Sequence, residues 1–329
     1  MIFHSASYLT HKMLKRVLCS LAFLLLTNAS ISFAQQAPQP AADQAELNEL
    51  ISRAVIRVTE YKTKFKDLTA EEEQQIEDYD NKGKLKKQRR IASDLFIYQS
   101  QVDPNKLVEY RDVKSVDGAA VKKREERLIS LLTKSAKADS VKKELDRITR
   151  ESRRYDLNYS FYGFTLNQGL PLHENARGSF EFKLAGREHI SGHDAIVIEY
   201  SQVSPNPELA MKLSSLPSHL KGAETRYRGR LWLDAETAQI RREVRETTME
   251  HPSLTRSLVI IRYDLNYADS RFGFLTPQRI EINAYLHGRT GADKHPELGL
   301  GGKVSFEYGA FIRFAVDSPD ASIDPLKKP

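Results

Sequence analysis

Cysteine is almost absent from this sequence: Cys19 is the single one in 329 residues. A disulfide framework, a zinc finger and a paired-thiol redox site each need at least two sulfurs or a Cys/His cluster, so these classes are excluded. After residue 34, no stretch approaches eighteen continuous apolar residues, and the mature chain has no predicted transmembrane segment. With 40% hydrophobic and 29% charged residues, the composition indicates a folded, water-soluble protein.

The one apolar run, from Val17 to Leu26, has the flanks of a secretory signal peptide. Lys15 and Arg16 precede it, and small residues at Ser32 and Ala34 follow. We therefore expect residues 1–34 to be a signal peptide that is cleaved near Ala34, leaving a periplasmic or secreted protein.

Three details refine this expectation. Met13 is a second candidate start, because the residues before it fit no signal pattern. Cys19 opens the apolar run instead of following it, which disfavours a lipoprotein. Cleavage removes three basic residues and no acidic one, so 47 basic residues face 44 acidic ones and the mature net charge is near +3 instead of +6.

The remaining chain divides by composition into a leader, one domain and a tail. Residues 35–42, rich in Gln, Pro and Ala, predict a flexible leader, and residues 317–329 a loose tail. A helix begins at Asp43, because apolar residues recur at three- and four-residue steps from Leu47 to Phe65. We expect a single domain over 43–316, with a charged helical insertion at 122–155.

Most of the domain has the alternation of β-strands. A hairpin over 71–100 turns at Asn81-Lys82-Gly83, which would place Glu77 opposite Lys86 and Glu73 opposite Arg90. Another strand spans 107–116. Seven more are predicted at 178–184, 195–203, 226–234, 239–248, 254–267, 278–287 and 303–316. They predict one antiparallel sheet with a buried face and a wet face; we expect Glu199, Arg241, Glu243 and Arg245 on the outer, wet side.

Two segments allow either a structural or a functional interpretation. The aromatic residues Tyr155, Tyr159, Phe161, Tyr162 and Phe164 predict core packing or, alternatively, the mouth of an apolar cavity. The long connection 204–222 predicts a mobile lid or an ordinary surface loop. Its lid residues would be Leu209, Met211, Leu213 and Leu216.

The search for catalytic and metal-binding patterns gives weak matches. Ser140/Lys143 and Ser218/Lys221 have the Ser-x-x-Lys spacing without the companion elements of a penicillin-recognising enzyme. His189 and His193 are separated by a turn, so they do not form a helical zinc-ligand pair. We predict no catalytic residue, no metal and no cofactor.

Basic residues dominate the helical insertion, with 12 basic and 6 acidic side chains between Lys122 and Arg154. This excess predicts either a solvated outer helix face or contact with anionic lipid headgroups. The basic block at 84–90 has its acidic partners in the preceding strand, so we expect no nucleic-acid binding.

The second half of the domain resembles the lipoprotein-carrier-like (LolA-like) half-barrels of the bacterial envelope. The similarity lies in the hairpin 185–200, in Gly229-Arg230-Leu231-Trp232-Leu233-Asp234-Ala235-Glu236-Thr237, and in Gly273-Phe274-Leu275-Thr276-Pro277. The resemblance implies a divergent member with an α+β fold: a single curved antiparallel β-sheet, a half-barrel, with helices covering its concave face.

The same resemblance implies a non-enzymatic periplasmic binding protein that shelters a lipid or lipoprotein acyl chain in an apolar cavity. The expected lining is Phe96, Tyr98, Phe180, Phe182, Ile196, Ile198, Tyr200, Trp232, Leu258, Ile260 and Ile282. Two alternatives stay open: an envelope adaptor or regulatory protein that binds another protein through the basic helical segment, and an unrecognised hydrolase. Peripheral contact with a membrane is also compatible with the sequence.

Overall fold

The computed structural model describes residues 41–100, 102–103, 105–136, 140–158, 161–211, 221–287 and 298–313. The signal peptide, most of the leader and the tail lie outside the described residues, and they stay predictions.

Three helices longer than two turns are described: α1 (Ala41–Lys64), α2 (Arg124–Ala136) and α3 (Val141–Ser152). A short 3₁₀ turn (Leu170–Leu172) leads into α4 (Glu174–Arg177). The strands are β1 (Leu68–Tyr79), β2 (Leu85–Gln99), β3 (Leu107–Val116), β4 (Ala119–Ala120), β5 (Phe180–Ile190), β6 (His193–Gln202), β7 (Glu224–Asp234), β8 (Ile240–Glu250), β9 (Leu258–Ala268), β10 (Thr276–His287), β11 (Leu298–Tyr308) and β12 (Ile312–Arg313).

The described strands form one antiparallel sheet in the order β4-β3-β2-β1-β11-β10-β9-β8-β7-β6-β5, and β12 pairs with β1. Strands β5 to β11 follow one another as a meander. The first strand, β1, then lies between its hairpin partner β2 and the late strand β11. Because β4 and β5 do not pair with each other, the sheet is open.

One helix and most of the strands share a single hydrophobic cluster, which shows that the sheet is curved. Leu47, Leu50, Val58 and Phe65 of the α1 region are buried in the same cluster as residues from β1 to β3 and β5 to β11. Eleven neighbouring strands would make a flat sheet about 50 Å wide, whereas a helix with its side chains is about 10 Å across. Strands from both halves of the sheet therefore share one core with a single narrow helix, as expected when the sheet curls around that helix in a half-barrel.

We call the face in contact with α1 the inner face and its hydrophobic residues the main cluster. On β6, Ile196 and Ile198 belong to the main cluster, whereas Ala195 and Val197 belong to a second cluster on the outer face. This alternation confirms that one side of the sheet is buried beneath a helix.

Helices α2 and α3 lie on the outer face, at the β2–β3 edge. Their Leu131 and Ile148 pack with Val108 and Tyr110 of β3, on the side opposite to Val113, which belongs to the main cluster. The predicted cover of the concave face is therefore provided by α1, while the helical insertion covers the other side. Among the described helices, none has the length and apolarity needed to cross a membrane.

The predicted hairpin forms, but its register differs from the expected one by two residues. Glu77 faces Gln88 and Glu73 faces Ala92, instead of Lys86 and Arg90. The turn spans Asp80 to Gly83: the Asp80 side chain accepts hydrogen bonds from the backbone N–H groups of Lys82 (2.8 Å) and Lys84 (3.0 Å), and Gly83 has φ +74°. This capped turn, and not the pairing of charges, sets the register.

The prediction that Arg241, Glu243 and Arg245 lie on a wet outer side is wrong, since they are 6%, 0% and 5% exposed. A β-bulge explains the error. Leu233 faces Ile240 while Trp232 faces Arg242, so Arg241 is an extra residue in β8. The bulge shifts the alternation by one residue, and Glu243 and Arg245 join Ile240 on the inner side. Glu199, in contrast, pairs with Arg230 in a half-exposed position.

Candidate functional site

The inner face brings together six of the eleven predicted lining residues. Phe180, Phe182, Ile196, Ile198, Tyr200 and Ile282 all belong to the main cluster or pack against it. They contribute to one apolar surface that runs across β5, β6 and β10. The role of this surface in ligand binding stays a prediction.

The other five lining residues lie elsewhere. Phe96 and Tyr98 face α2 and α3 on the outer side of β2. Trp232 packs with Ala195 and Val197 on the outer face, where its indole donates a hydrogen bond to Glu188 (2.8 Å). Leu258 and Ile260 form a separate cluster with Met249. Strand alternation directs Phe96, Tyr98 and Trp232 to the outer face. Leu258 pairs with Met249 at the far end of β8 and β9, and Ile260 is an extra residue in a β-bulge there, so both lie outside the main cluster.

A segment without helix or strand, residues 161–169, lies against the inner face; we call it the strap. Phe161, Phe164 and Leu166 of the strap are half-buried against the main cluster. The Phe164 ring lies 5.4 Å from the ring of Tyr263 on β9. The strap therefore covers part of the apolar surface with side chains that still reach solvent. Tyr159, from the same aromatic group, lies outside the described residues.

A first buried ion cluster anchors the beginning of the strap. Glu109 on β3 accepts a hydrogen bond from the Gly163 backbone N–H (3.1 Å) and another from the Thr165 hydroxyl. Arg111 lies between Glu109 and Glu72 of β1, at 2.6 Å from each carboxylate. Both glutamates and the arginine are at most 3% exposed.

A second buried ion pair anchors the end of the strap. Glu243 on β8 accepts hydrogen bonds from the Gly169 backbone N–H (3.0 Å) and the Tyr200 hydroxyl (3.1 Å). Arg245 contacts Glu243 at 2.8 Å and donates to the Asn167 carbonyl at 3.0 Å. The two anchors therefore hold the strap through backbone groups of Gly163, Asn167 and Gly169 and through the Thr165 hydroxyl.

Burial shifts the pKa values of the groups around the strap in predictable directions. Burial raises the pKa of Glu72, against the opposing effect of Arg111. Burial, together with the Glu243 carboxylate, raises the pKa of Tyr200 well above its usual range, so its hydroxyl stays a donor. His173, just after the strap, contacts the Gln168 carbonyl at 3.0 Å, and burial lowers its pKa to about 4. The histidine is therefore neutral at physiological pH.

Gly169 marks the closest approach of the strap to the scaffold. Its φ is +61°, and a Cβ atom there would lie 2.5 Å from Ile240 Cδ1 and 2.8 Å from Val58 Cγ2. The end of the strap is therefore seated tightly between α1 and β8, whereas a Cβ atom on Gly163, near its beginning, would meet only Asn167, at 3.9 Å.

The two anchors were missed in the sequence because charged residues in a strand are normally assigned to the solvent side. A signal was present: Glu109-x-Arg111 and Glu243-x-Arg245 have the same spacing, which places both charges of each pair on one face of a strand. A repeated acid–base pair of this kind among apolar neighbours is typical of a buried ion pair.

The predicted lid is described only in part. Leu209 is half-buried against the main cluster, and the backbone N–H of Met211 donates to the Thr225 hydroxyl (3.1 Å). Leu213 and Leu216 lie outside the described residues. The lid stays a prediction.

The weak catalytic matches have structural roles where they are described. Ser140 is the N-cap of α3 and accepts a hydrogen bond from the Lys143 backbone N–H. His189 pairs with Asp194 at 2.9 Å across a hairpin turn. In the described part of the chain, no group of three or more His, Cys, Asp and Glu side chains is arranged to hold a metal ion. Ser218 lies outside the described residues.

Comparisons with solved structures give likenesses in fold at very low identity. The chain is similar to a DUF1329 family protein from Desulfovibrio piger, with 13% identity and a TM-score of 0.38, over 83% of this chain and 95% of that one. It is also similar to a LolA superfamily protein from Nitrosomonas europaea, with 9% identity and a TM-score of 0.31, over 82% and 94% of the two chains. The likeness is one of fold. No protein-family model matches the chain, and no curated protein matches its sequence.

Proposed function

We propose that this protein is a non-enzymatic binding protein of the bacterial envelope, and that it holds an acyl chain of a lipid or lipoprotein on the inner face of its sheet. The observation that carries the proposal is the strap. It is a segment without regular structure whose half-buried apolar side chains occupy part of a continuous apolar surface. An acyl chain would take the place of those side chains.

The energetics support such an exchange. Each buried methylene contributes about 0.8 kcal/mol, so a chain of about twelve methylenes gains about 10 kcal/mol on full burial. Phe161, Phe164 and Leu166 are half-buried, so the strap loses only part of the burial energy of three large side chains when it leaves.

The anchors also allow the strap to leave without isolating a buried charge. When the Gly163 N–H and the Thr165 hydroxyl move away, Glu109 keeps its contact with Arg111. When the Gly169 N–H moves away, Glu243 keeps Arg245 and the Tyr200 hydroxyl. A carboxylate that retains its arginine avoids the large penalty of an unpaired buried ion.

The proposal includes export to the periplasm or the cell exterior through the signal peptide at residues 1–34. It also includes an acyl lipid or a lipoprotein as the partner, with no cofactor. The lid residues Leu209 and Met211 would then border the same apolar surface.

The strap provides a direct test. The double substitution Phe161→Ala/Phe164→Ala removes the competing aromatic side chains, and we expect it to raise the affinity for dansyl-undecanoic acid at least about tenfold. Phe272→Ala is the matched control, because Phe272 is also half-buried against the main cluster but lies in the β9–β10 turn. Probe fluorescence measures binding, and native mass spectrometry of protein purified from envelope extracts detects bound lipid.

Two results would contradict the proposal. One is the absence of probe binding and of co-purifying lipid in both the parent protein and the double variant. The other is an equal rise in affinity for Phe272→Ala, which would show that general loosening of the core, and not the strap, controls access.

A further inference from the structure

A separate cavity lies at the β3–β4 edge of the sheet, between the end of β3, the strand β4 and the helices α2 and α3; we call it the basic groove. Its volume is about 1010 Å³. Four arginines (Arg127, Arg147, Arg150 and Arg154) and three lysines line it together with two glutamates, which gives the lining a net charge of +5. Leu131 of the groove belongs to the outer-face cluster, whereas Val116, Val121 and Tyr155 pack against the border of the main cluster. The groove therefore lies at the edge of the sheet, and its lining includes none of the six predicted lining residues on the inner face.

The lining cations fall into a positioned group and an unpaired group. Arg127 contacts Glu151 at 3.1 Å and the Tyr155 hydroxyl at 3.3 Å, and these contacts fix the position of its guanidinium in the lining of the groove. Lys134 and Arg150 are exposed, and neither has an acidic partner among the described residues. A ligand with several negative charges would therefore meet both a fixed cation and cations with no competing carboxylate.

The groove is also partly apolar. Val116, Val121, Leu131 and Tyr155 line it beside the cations. Outside this lining, Ile129 on α2 is 64% exposed, which leaves one further large aliphatic side chain on the same helix open to solvent. A site that combines cations with apolar side chains is suited to an amphipathic ligand, in which a negatively charged group is joined to a hydrocarbon part.

These features favour a lipid headgroup over a protein partner. The planar guanidinium group of arginine matches the geometry of phosphate oxygens and binds two of them with a pair of hydrogen bonds. The core of a protein–protein interface is depleted in charge, whereas the cations here line one concave site. Basic helices with exposed apolar residues bind anionic membrane surfaces.

We propose that the basic groove binds the phosphate headgroup of an anionic glycerophospholipid and so docks the protein on a membrane surface. This inference goes beyond the proposed function, because it concerns another site and needs no acyl chain on the inner face.

The test uses charge reversal with a matched control. Lys134→Glu/Arg150→Glu changes two exposed cations of the groove, and Lys86→Glu/Lys87→Glu changes two exposed cations of the β1–β2 hairpin by the same net charge. Binding is measured by co-sedimentation with vesicles of phosphatidylglycerol and phosphatidylcholine in equal parts, and with phosphatidylcholine alone. Circular dichroism melts check that each variant folds, and Lys134→Gln/Arg150→Gln serves as a milder second variant.

We expect the parent protein to bind the phosphatidylglycerol vesicles and not the phosphatidylcholine vesicles. The groove reversal should lower binding by about thirtyfold or more, since each basic side chain near an anionic surface contributes about 1 kcal/mol. The glutamine variant should show a smaller loss, and the hairpin reversal should change binding less than about threefold.

Three outcomes would overturn the inference: no binding of phosphatidylglycerol vesicles by the folded parent protein, an equal loss in the hairpin variant, or groove-dependent binding of an acidic protein without vesicle binding. The dansyl-undecanoic acid assay separates this site from the inner face. Loss of vesicle binding with normal probe binding supports two sites, and vesicle binding without probe binding refutes the proposed function alone.

Discussion

Arg111 is the residue whose replacement tests the inner polar network most sharply. It is 3% exposed and lies 2.6 Å from both Glu72 and Glu109. Arg111→Met keeps most of the apolar stem and removes the charge, so two buried carboxylates lose their shared partner. Breaking a buried ion pair in this way costs about 3–5 kcal/mol, because the remaining charge is left uncompensated.

The same strand supplies a matched control at the surface. Lys114 also contacts two carboxylates, Glu71 and Asp94, each at 2.9 Å, but it is 29% exposed. Exposed ion pairs contribute about 0–1 kcal/mol, so Lys114→Met should have a small effect. Both substitutions remove one positive charge from β3, and they differ mainly in burial.

Urea unfolding provides the measurement, followed through the fluorescence of Trp232, the single tryptophan. With a denaturant slope of about 3 kcal/mol per molar urea, a loss of about 4 kcal/mol lowers the midpoint by about 1.3 M. Lys114→Met should lower it by about 0.3 M or less.

The loss caused by Arg111→Met should also depend on pH. Burial raises the pKa of Glu72 in the folded state, and Arg111 opposes this rise. A folded-state pKa above the unfolded value gives stability that is present at low pH and is lost as the pH rises through the folded-state pKa. Without Arg111 the rise is larger, so the variant should lose more stability relative to the parent at pH 8 than at pH 4. An Arg111→Met midpoint within the range of Lys114→Met, or a loss that grows as the pH falls, would refute the reasoning.

Two further predictions concern the strap and its neighbour. Gly169→Ala should lower the free energy of unfolding by about 2–4 kcal/mol, because the new Cβ would clash with Ile240 and Val58 at a positive φ. Gly163→Ala should lower it by only about 1 kcal/mol. Thermal melts compare the two variants, and equal losses would contradict the close packing of Gly169. Because the pKa of His173 is lowered to about 4, the unfolded chain takes up its proton first as the pH falls. Stability should therefore drop by up to about 3 kcal/mol between about pH 6.5 and pH 4. His173→Gln should remove that part of the drop in urea titrations across this range, and an unchanged profile would disprove the assignment.

The sequence predicts the strands well, since alternation is a local property. The predicted strand 107–116 has the same bounds as β3, and the predicted helical insertion contains α2 and α3. The pairing of β1 with β11 was not predicted, because no local pattern indicates which distant strand will lie beside the first one.

The candidate site was harder to predict than the strands. The bulge at Arg241 adds a single residue, and that residue is enough to reverse the predicted side of Glu243 and Arg245. The side to which the helical insertion packs depends on the path of the chain after β4, which periodicity does not encode. The sequence therefore predicts Phe96 and Tyr98 on the inner face, although they pack against the insertion on the outer side. Trp232 faces outward because its neighbours Leu231 and Leu233 face the main cluster.

The pairing of β1 with both β2 and β11 affects how this protein can acquire its structure. Because β1 ends at Tyr79 and β11 begins at Leu298, β1 gains an antiparallel neighbour on that side only after all the intervening strands have been synthesised. Contacts between such distant segments form slowly. If the chain is exported as proposed, β1 would leave the export channel with one unpaired edge, and the chain would need protection from aggregation until β11 follows.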